Sequence, residues 1–506
     1  MNKNLSLCET GCTFSGYDPS TKRAACNCNV KFKITDIKNL KIDKNAFLDG
    51  FFNFKSLINL NVMKCFRLIF TKNGFLLNIA NYILLPITLY NIISSIVFYL
   101  KGYDLLKNAS FEKFLKSEME KMEALHLKRE LSYYEACDGA VMNLNGQRFL
   151  QFASNSYLDL GSVAEIREAM SEALARYGTG SGGSRLITGG KEIHRELEKA
   201  LAAFKGTEDA LLFNTGYMAN LGVISALCQK DDFIFSDRLN HASIIDGIRL
   251  SKASVFVYAH NDLKDLERLL IEAGLPNSSK KALIVSDGVF SMDGDLADLP
   301  GLLKLSKKYG ALLMLDEAHA TGVVGKKGHG LAEHFGCENP DIVVGTLSKA
   351  LFCEGGFVAG KKRLIEFLYN KARSFIYTTA MSPCVAAGGL AALRYLDTYP
   401  ERVLKLAENS AFFRAELKKR GLNVTDFPSA IIIIELKKEE LALTVSKELK
   451  EKGLLIPAVR FPTVPKGKAC LRASVMATHE KEDLIFAAET IAQCIKSAQS
   501  KNEGNL

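Results

Sequence analysis

An α/β fold, built on a mostly parallel sheet covered by helices and followed by a smaller C-terminal α/β domain, is what this sequence predicts. Three observations carry that expectation. Short apolar runs recur from Ala210 onward (DALLFN, DDFIFSD, SVFVYAH, KALIVSD, ALLMLDE and DIVVGT), and each ends in polar residues. Helical stretches lie between them, and strands of a parallel sheet, buried on both faces, read as continuous apolar runs of this kind. After about Thr398 the pattern changes to IIIIELK, a PTVPKG turn and a last amphipathic segment, as expected of a second, smaller domain.

Size and composition bound the rest. At 506 residues the chain is long enough for a large core and about three units. Hydrophobic content of 48% and charge of 24% are ordinary for a globular protein. The net charge of +9 is spread over lysines interleaved with glutamates. No dense basic block or aromatic interleaving is present, so the composition excludes a nucleic-acid reader. Cys8, Cys12, Cys26, Cys28 and Cys65 crowd the start, whereas the remaining cysteines are scattered. Scattered single thiols fit a reducing compartment. The early set, spaced C-x3-C-x13-C-x-C, lacks the usual zinc spacing and reads as disulfide-forming.

Taken in order, residues 1–72 form a cysteine-containing extension without the apolar core of a signal peptide. Asn73–Leu100 runs 28 residues without a charge, long enough to span about 30 Å of hydrocarbon as a helix, although Pro86 would kink it. Residues 101–154 read as a linker and an N-terminal helix. Within them Phe111, Phe114, Leu115, Met119 and Met122 fall at helical spacing over Phe111–Leu131. Residues 155–397 form the large domain, 398–498 the small one and 499–506 a polar tail. Residues 1–105 share no composition with the rest of the chain, so a fused or mis-joined segment is the alternative to a native extension.

The chemistry centres on Val343–Gly356, VVGTLSKALFCEGG. Lys349 sits on a tight loop between apolar runs, where desolvation lowers an amine's pKa and makes it nucleophilic. An isolated loop lysine is more often a plain surface residue. Upstream, however, LMLDEAHATG puts Asp316 and His319 at the end of another apolar run. Pyridoxal phosphate needs such a constellation: a lysine to attach it, a carboxylate to keep its pyridine nitrogen protonated and a histidine for its ring oxygen.

The motifs GSGGSRLITGG, LNHASIIDG, DGVFSMDGD, LDEAHATG, GTLSKAL, IYTTAMSP and RFPTVPKG occur in that order. With them the chain from about Phe111 to Ala498 resembles the α-oxoamine synthases, fold-type-I pyridoxal phosphate enzymes. The resemblance implies a seven-stranded, mostly parallel central sheet and an obligate homodimer with composite sites. Within the family it is similar to the branch that joins L-alanine to a pimeloyl thioester, on CoA or on a carrier. The resemblance assigns Lys349, Asp316 and His241 to catalysis, with His241 stacking on the cofactor ring. Gly216, Tyr217 and Thr346 would hold the cofactor phosphate, with Thr378 and Thr379 reaching it from the partner subunit. Ser291 and His319 complete the cofactor set. Arg129, Asn155, Asp287, Arg460, Thr463 and Arg472 would meet the substrates, Arg472 clamping the amino-acid carboxylate. A planar bidentate donor suits that task.

Four positions depart from the family pattern. Asp287 stands where the synthases commonly carry glutamate and the ketobutyrate ligases aspartate. Asp159 and Phe352 stand where glycine is usual, and Cys470 replaces a common arginine. The rival readings are a glycine- or serine-using member of the family and a membrane-anchored, non-catalytic subunit. The presence of Lys349 argues against the last. A cytosolic catalytic domain behind a membrane anchor reconciles the cytosolic substrates with oxidised early cysteines. Without the extension the enzyme would be cytoplasmic.

Overall fold

A computed structural model describes residues 146–503 continuously and, before them, 12–18, 23–28, 87–94, 109–125, 127–129, 131–134 and 136–144. The chain divides into two compact units, Met1–Glu130 and Leu131–Leu506.

In the first unit β1 (Cys12–Asp18) and β2 (Arg23–Cys28) form an antiparallel hairpin. Its register sets Cys12 opposite Cys28 and Phe14 opposite Cys26, whereas Cys8 and Cys65 lie outside the described residues. Of the predicted span 73–100 only 87–94 is described. It is helical, and Ile87, Leu89, Tyr90, Ile92 and Ile93 are exposed. Among the described residues no helix is long and apolar enough to cross a membrane. The predicted amphipathic helix exists as Ala109–Ala124 and ends before Arg129, with Leu127 N–H closing a final turn on Met122 O at 2.7 Å. Its apolar stripe of Phe111, Phe114, Leu115, Met119 and Met122 is exposed.

The second unit opens with a meander, β3 (Ala136–Asp138), β4 (Val141–Leu144) and β5 (Gln147–Gln151). Gly139 and Gly146 turn it at φ +63° and +73°, where a side chain is strained. From the other end of the chain, β14 (Leu454–Leu455) joins β5 in parallel. Residues read as a linker are therefore tied into a sheet with the C-terminal region.

The central sheet has the expected seven strands. They are β6 (Asp209–Phe213), β7 (Phe233–Asp237), β8 (Ser254–Tyr258), β9 (Ala282–Asp287), β10 (Leu312–Asp316), β11 (Ile342–Thr346) and β12 (Gly356–Gly360). Their spatial order is β6-β12-β11-β10-β9-β7-β8. The six apolar runs read from the sequence are β6 to β11. All pairings among β7 to β11 are parallel, and β12 runs antiparallel to both β11 and β6. An antiparallel neighbour needs no crossover helix, so β11 reaches β12 through a short loop, the one carrying Lys349.

Beyond Thr398, β13 (Ile431–Lys437), β15 (Ala458–Val459) and β16 (Ala469–Ser474) form a small sheet in the order β13-β16-β15. Helices Glu401–Lys419, Glu439–Glu451 and Lys481–Glu503 accompany it.

Candidate active site

The carboxyl ends of β9, β10 and β11 meet at one place, where sheets of this kind put ligands. Asp316 ends β10 and Asp287 ends β9, and the parallel register makes them direct neighbours, while Asp316 also pairs with Val344 of β11. The loop after β11 brings Lys349 within electrostatic reach of both aspartates and of Arg472. Burial pushes the Lys349 amine down and the two aspartates push it up. Arg472 lowers it further, leaving it at about 8. Above that pH the amine is free to act as nucleophile or base.

The two carboxylates have different partners. Asp316 accepts hydrogen bonds from Asn220 Nδ2 at 2.6 Å and Ala318 N–H at 2.9 Å. Asp287 accepts one from the His241 backbone N–H at 2.9 Å. Burial first, and the Asp316 charge second, raise the Asp287 carboxyl well above the usual range. Two adjacent buried carboxyls cannot both ionise cheaply, so the environment separates their roles.

His319 is buried, and burial together with the Lys349 and Arg472 charges holds it well below its ordinary value, as a neutral imidazole. Its Nδ1 lies 2.6 Å from the Tyr157 hydroxyl, which is also 3.2 Å from Asn155 Oδ1. Arg472, on β16, donates to Ser291 O at 2.6 Å, to Ser474 Oγ at 2.9 Å and to Asn155 Oδ1 at 3.2 Å. Asn155, Ser291, His319 and Arg472 are thereby drawn together from four separate segments.

A cradle lies beside them. Thr215 caps the helix Gly216–Leu227 by accepting Met218 N–H at 3.1 Å, and the helix's first N–H groups form a ready anion site. A Cβ on Gly216 would stand 3.2 Å from Thr346 Cβ, and one on Gly356 would come within 2.4 Å of Gly216 N. Only glycine permits that approach. Thr346 donates to Gly355 O at 2.8 Å, and Ser348 Oγ lies 2.8 Å from its oxygen, which fixes the loop's first turn. Asn214 Nδ2 donates to Thr379 O at 2.8 Å, so Thr379 lies beside this same chain's turn, with Thr378 half-buried next to it. Tyr217 and His241 are both exposed, and their rings meet edge-on at 6.4 Å. A free amine at about 8, a carboxylate at a strand end and a glycine-walled helix terminus fit pyridoxal phosphate.

Thr463 is exposed on a turn closed by its N–H to Arg460 O at 2.9 Å, with Arg460 half-buried. A cavity of about 310 Å³ lies between Thr463, Ser291 and Cys470. Burial pushes the Cys470 thiol up to about 11, so this departure adds apolar volume and no nucleophile. The other two departures share one explanation: Asp159 and Phe352 have φ +50° and +52°. That backbone favours glycine and is a strain for a phenylalanine. The Phe352 ring lies against Gly161, where a Cβ would approach it to 2.1 Å.

Sequence reading missed Asn220 and Tyr157. Asn220 sits one helical turn after Gly216, a buried amide on the core face of a helix, and that polarity was the available signal. Tyr157 had no such signal in SYLDL. Arg129 is exposed and belongs to the first unit.

Residues 147–491 match the family model "Aminotransferase class I and II". The chain is 48% identical over 381 residues to a Desulfovibrio desulfuricans protein named provisionally as an 8-amino-7-oxononanoate synthase, covering 75% of this chain and 98% of that one. It is 42% identical over 388 residues to the 8-amino-7-oxononanoate synthase of Petrotoga mobilis, covering 76% and 98%. Among solved structures it is similar to serine palmitoyltransferase from S. paucimobilis, with TM-score 0.72 and 31% identity, covering 77% of this chain and 99% of that one. The 8-amino-7-oxononanoate synthase of Francisella tularensis matches with TM-score 0.60 and 31% identity, covering 69% and 98%.

Proposed function

We infer the reaction from the family match: this chain belongs to the aminotransferases of class I and II, and within them to the α-oxoamine synthases, which are pyridoxal phosphate enzymes. It is a C-acyltransferase that takes an amino acid and an acyl thioester. We propose that the pair is L-alanine and a pimeloyl thioester, condensed with loss of carbon dioxide to 8-amino-7-oxononanoate. The observation that carries the proposal is the 48% and 42% identity, over most of the chain, to proteins named 8-amino-7-oxononanoate synthase. The buried Lys349 amine, lowered to about 8 within electrostatic reach of Asp316, Asp287 and Arg472, suits the chemistry.

Bound there, the cofactor supplies an electron sink for a carbanion at the amino-acid Cα. Lys349 would anchor it, and its Nζ would be the group that holds the Cα proton. Asp316, its carboxylate fixed by Asn220, would stabilise the positive charge of the pyridine nitrogen. His319, neutral, would offer a ring nitrogen to the cofactor's oxygen. The exposed His241 ring would cover the cofactor, and Gly216, Tyr217 and Thr346 would hold its phosphate. Arg472 binds the amino-acid carboxylate and sets which Cα bond points at Lys349. Asn155, Asp287, Ser291, Arg460 and Thr463 line the substrate side. By resemblance Thr378 and Thr379 would complete the phosphate site from a second copy in a homodimer, whereas within the single chain Thr379 O accepts from Asn214 Nδ2. Arg129 meets the acyl chain on the strength of resemblance alone.

Assays with alanine, glycine and serine against pimeloyl, acetyl and palmitoyl thioesters test the pairing. Alanine with the pimeloyl thioester is expected to give the highest kcat/KM. Asp287 favours a second reading, glycine with an acetyl donor, and a higher kcat/KM for that pair would replace the first. We also propose that 73–100 anchors the chain in a membrane with the catalytic unit on the cytosolic side. Its support is an uncharged run and the exposed apolar side chains of helical 87–94. Membranes washed with carbonate should retain the full-length protein, and its release would end the anchor proposal.

A further inference from the structure

A second charged cluster lies beside the site and takes no part in the chemistry of the cofactor. His260 stands between two carboxylates, with Nδ1 3.0 Å from Asp237 Oδ1 and Nε2 2.9 Å from Asp295 Oδ2. Ionised carboxylates only accept, so both ring nitrogens must donate and the ring is an imidazolium. The two acids are nearly dry, their side chains 1% and 9% exposed, against 25% for the histidine. Their charges raise His260 to about 10 despite its own burial, and Asp293 also faces it. Asn261 reinforces the clasp, donating from N–H to Asp237 Oδ2 at 2.9 Å and from Nδ2 to Asp295 Oδ2 at 2.8 Å and Leu296 O at 2.9 Å.

The two acids belong to different parts of the chain. Asp237 ends β7 in the rigid sheet, while Asp295 lies in the excursion Gly288–Ala297 that leaves β9. That excursion is closed on itself by Ala297 N–H to Gly288 O at 2.9 Å and Phe290 N–H to Asp295 O at 3.0 Å. The His260 ring also meets Phe290 edge-on at 4.4 Å. At the tip, Ser291 O receives Arg472 Nε at 2.6 Å. Without the imidazolium, two buried carboxylates would face each other across the joint and drive the excursion from the sheet.

We propose that His260 is a positioning residue: its clasp of Asp237 and Asp295 holds the 288–297 excursion so that Ser291 O aims the Arg472 guanidinium at the amino-acid carboxylate. This rests on the proposed role of Arg472 as the carboxylate clamp. The fork of Arg472 recognises a carboxylate only in one orientation, so a small rotation weakens amino-acid binding before it affects proton transfer at Lys349.

His260→Gln, His260→Gln with Asp295→Asn, and Arg472→Lys are compared with the wild-type holoenzyme. His260→Gln should raise the KM for alanine about tenfold while kcat falls less than about threefold. The affinity of the apoprotein for pyridoxal phosphate should stay unchanged. Amide exchange should quicken within 288–297 and not in β9 or β10. The double variant, which removes the stranded charge, should recover part of the alanine KM. A role confined to stability would lower melting temperature and leave the alanine KM alone, and that result overturns the proposal. So does an unchanged KM in His260→Gln beside a raised one in Arg472→Lys. An unchanged KM in Arg472→Lys would overturn both the proposal and the carboxylate-clamp reading beneath it.

Discussion

Lys349→Ala is expected to fold, to bind pyridoxal phosphate without a covalent link and to lose turnover by roughly 10,000-fold or more, the upper end of what a positioned base contributes. Removing a buried amine relieves its desolvation, so the fold should survive. Borohydride treatment should fix the cofactor on Lys349 in the wild type and leave no labelled peptide in the variant. Label on another lysine would refute the assignment. The lowered amine also sets a pH dependence. With its value at about 8, Lys349 is protonated and unreactive below that pH and free above it. Cofactor capture by the apoprotein should therefore rise through pH 8 and level off by about pH 9. An amine of ordinary basicity would still be gaining reactivity near pH 10.

The second large effect is expected at Asp316. Asp316→Asn is nearly isosteric, keeps an oxygen for Ala318 N–H and presents its new amide to Asn220, whose unpartnered Oδ1 can turn to accept it, so the end of β10 should hold its shape. On the proposed role of Asp316, the variant would lack the negative charge that keeps the cofactor's ring nitrogen protonated. A preorganised charge in a dry site is worth about 3 kcal/mol or more, a slowing of over a hundredfold. Exchange of the alanine Cα proton into deuterated solvent reads this step directly. Wild-type exchange rates in Asp316→Asn would remove Asp316 from the mechanism.

Much of the architecture was legible because it is local. An apolar run bounded by polar residues states that a segment is a strand buried on two faces, and all six runs became strands of one sheet. Asp316 was legible in the same way, at the polar end of such a run, and Lys349 on the loop after another, whereas Gly216 was assigned by resemblance. The departures at Asp159 and Phe352 were visible as residues, but their common cause was a left-handed backbone that no side-chain pattern encodes. The amphipathic stripe of Ala109–Ala124 was legible as a helix, yet helical spacing says nothing of what covers an apolar face, and that face is exposed. The span 73–100 lies largely outside the described residues, so its reading still stands on composition.

What the sequence determined by itself was therefore the kind of chain this is: an alternating α/β enzyme with a lysine on a loop after a buried strand. Tertiary structure alone decided which groups share one space. The register of β9 on β10 makes Asp287 the neighbour of Asp316. The reversed β12 turns the Lys349 loop back over them, and β16 arrives from the small domain with Arg472. Asn220, Tyr157 and His260 gain their roles only through such meetings. Period and burial are properties of neighbouring residues, whereas register, strand direction and the pKa of a buried amine depend on segments far apart in the chain.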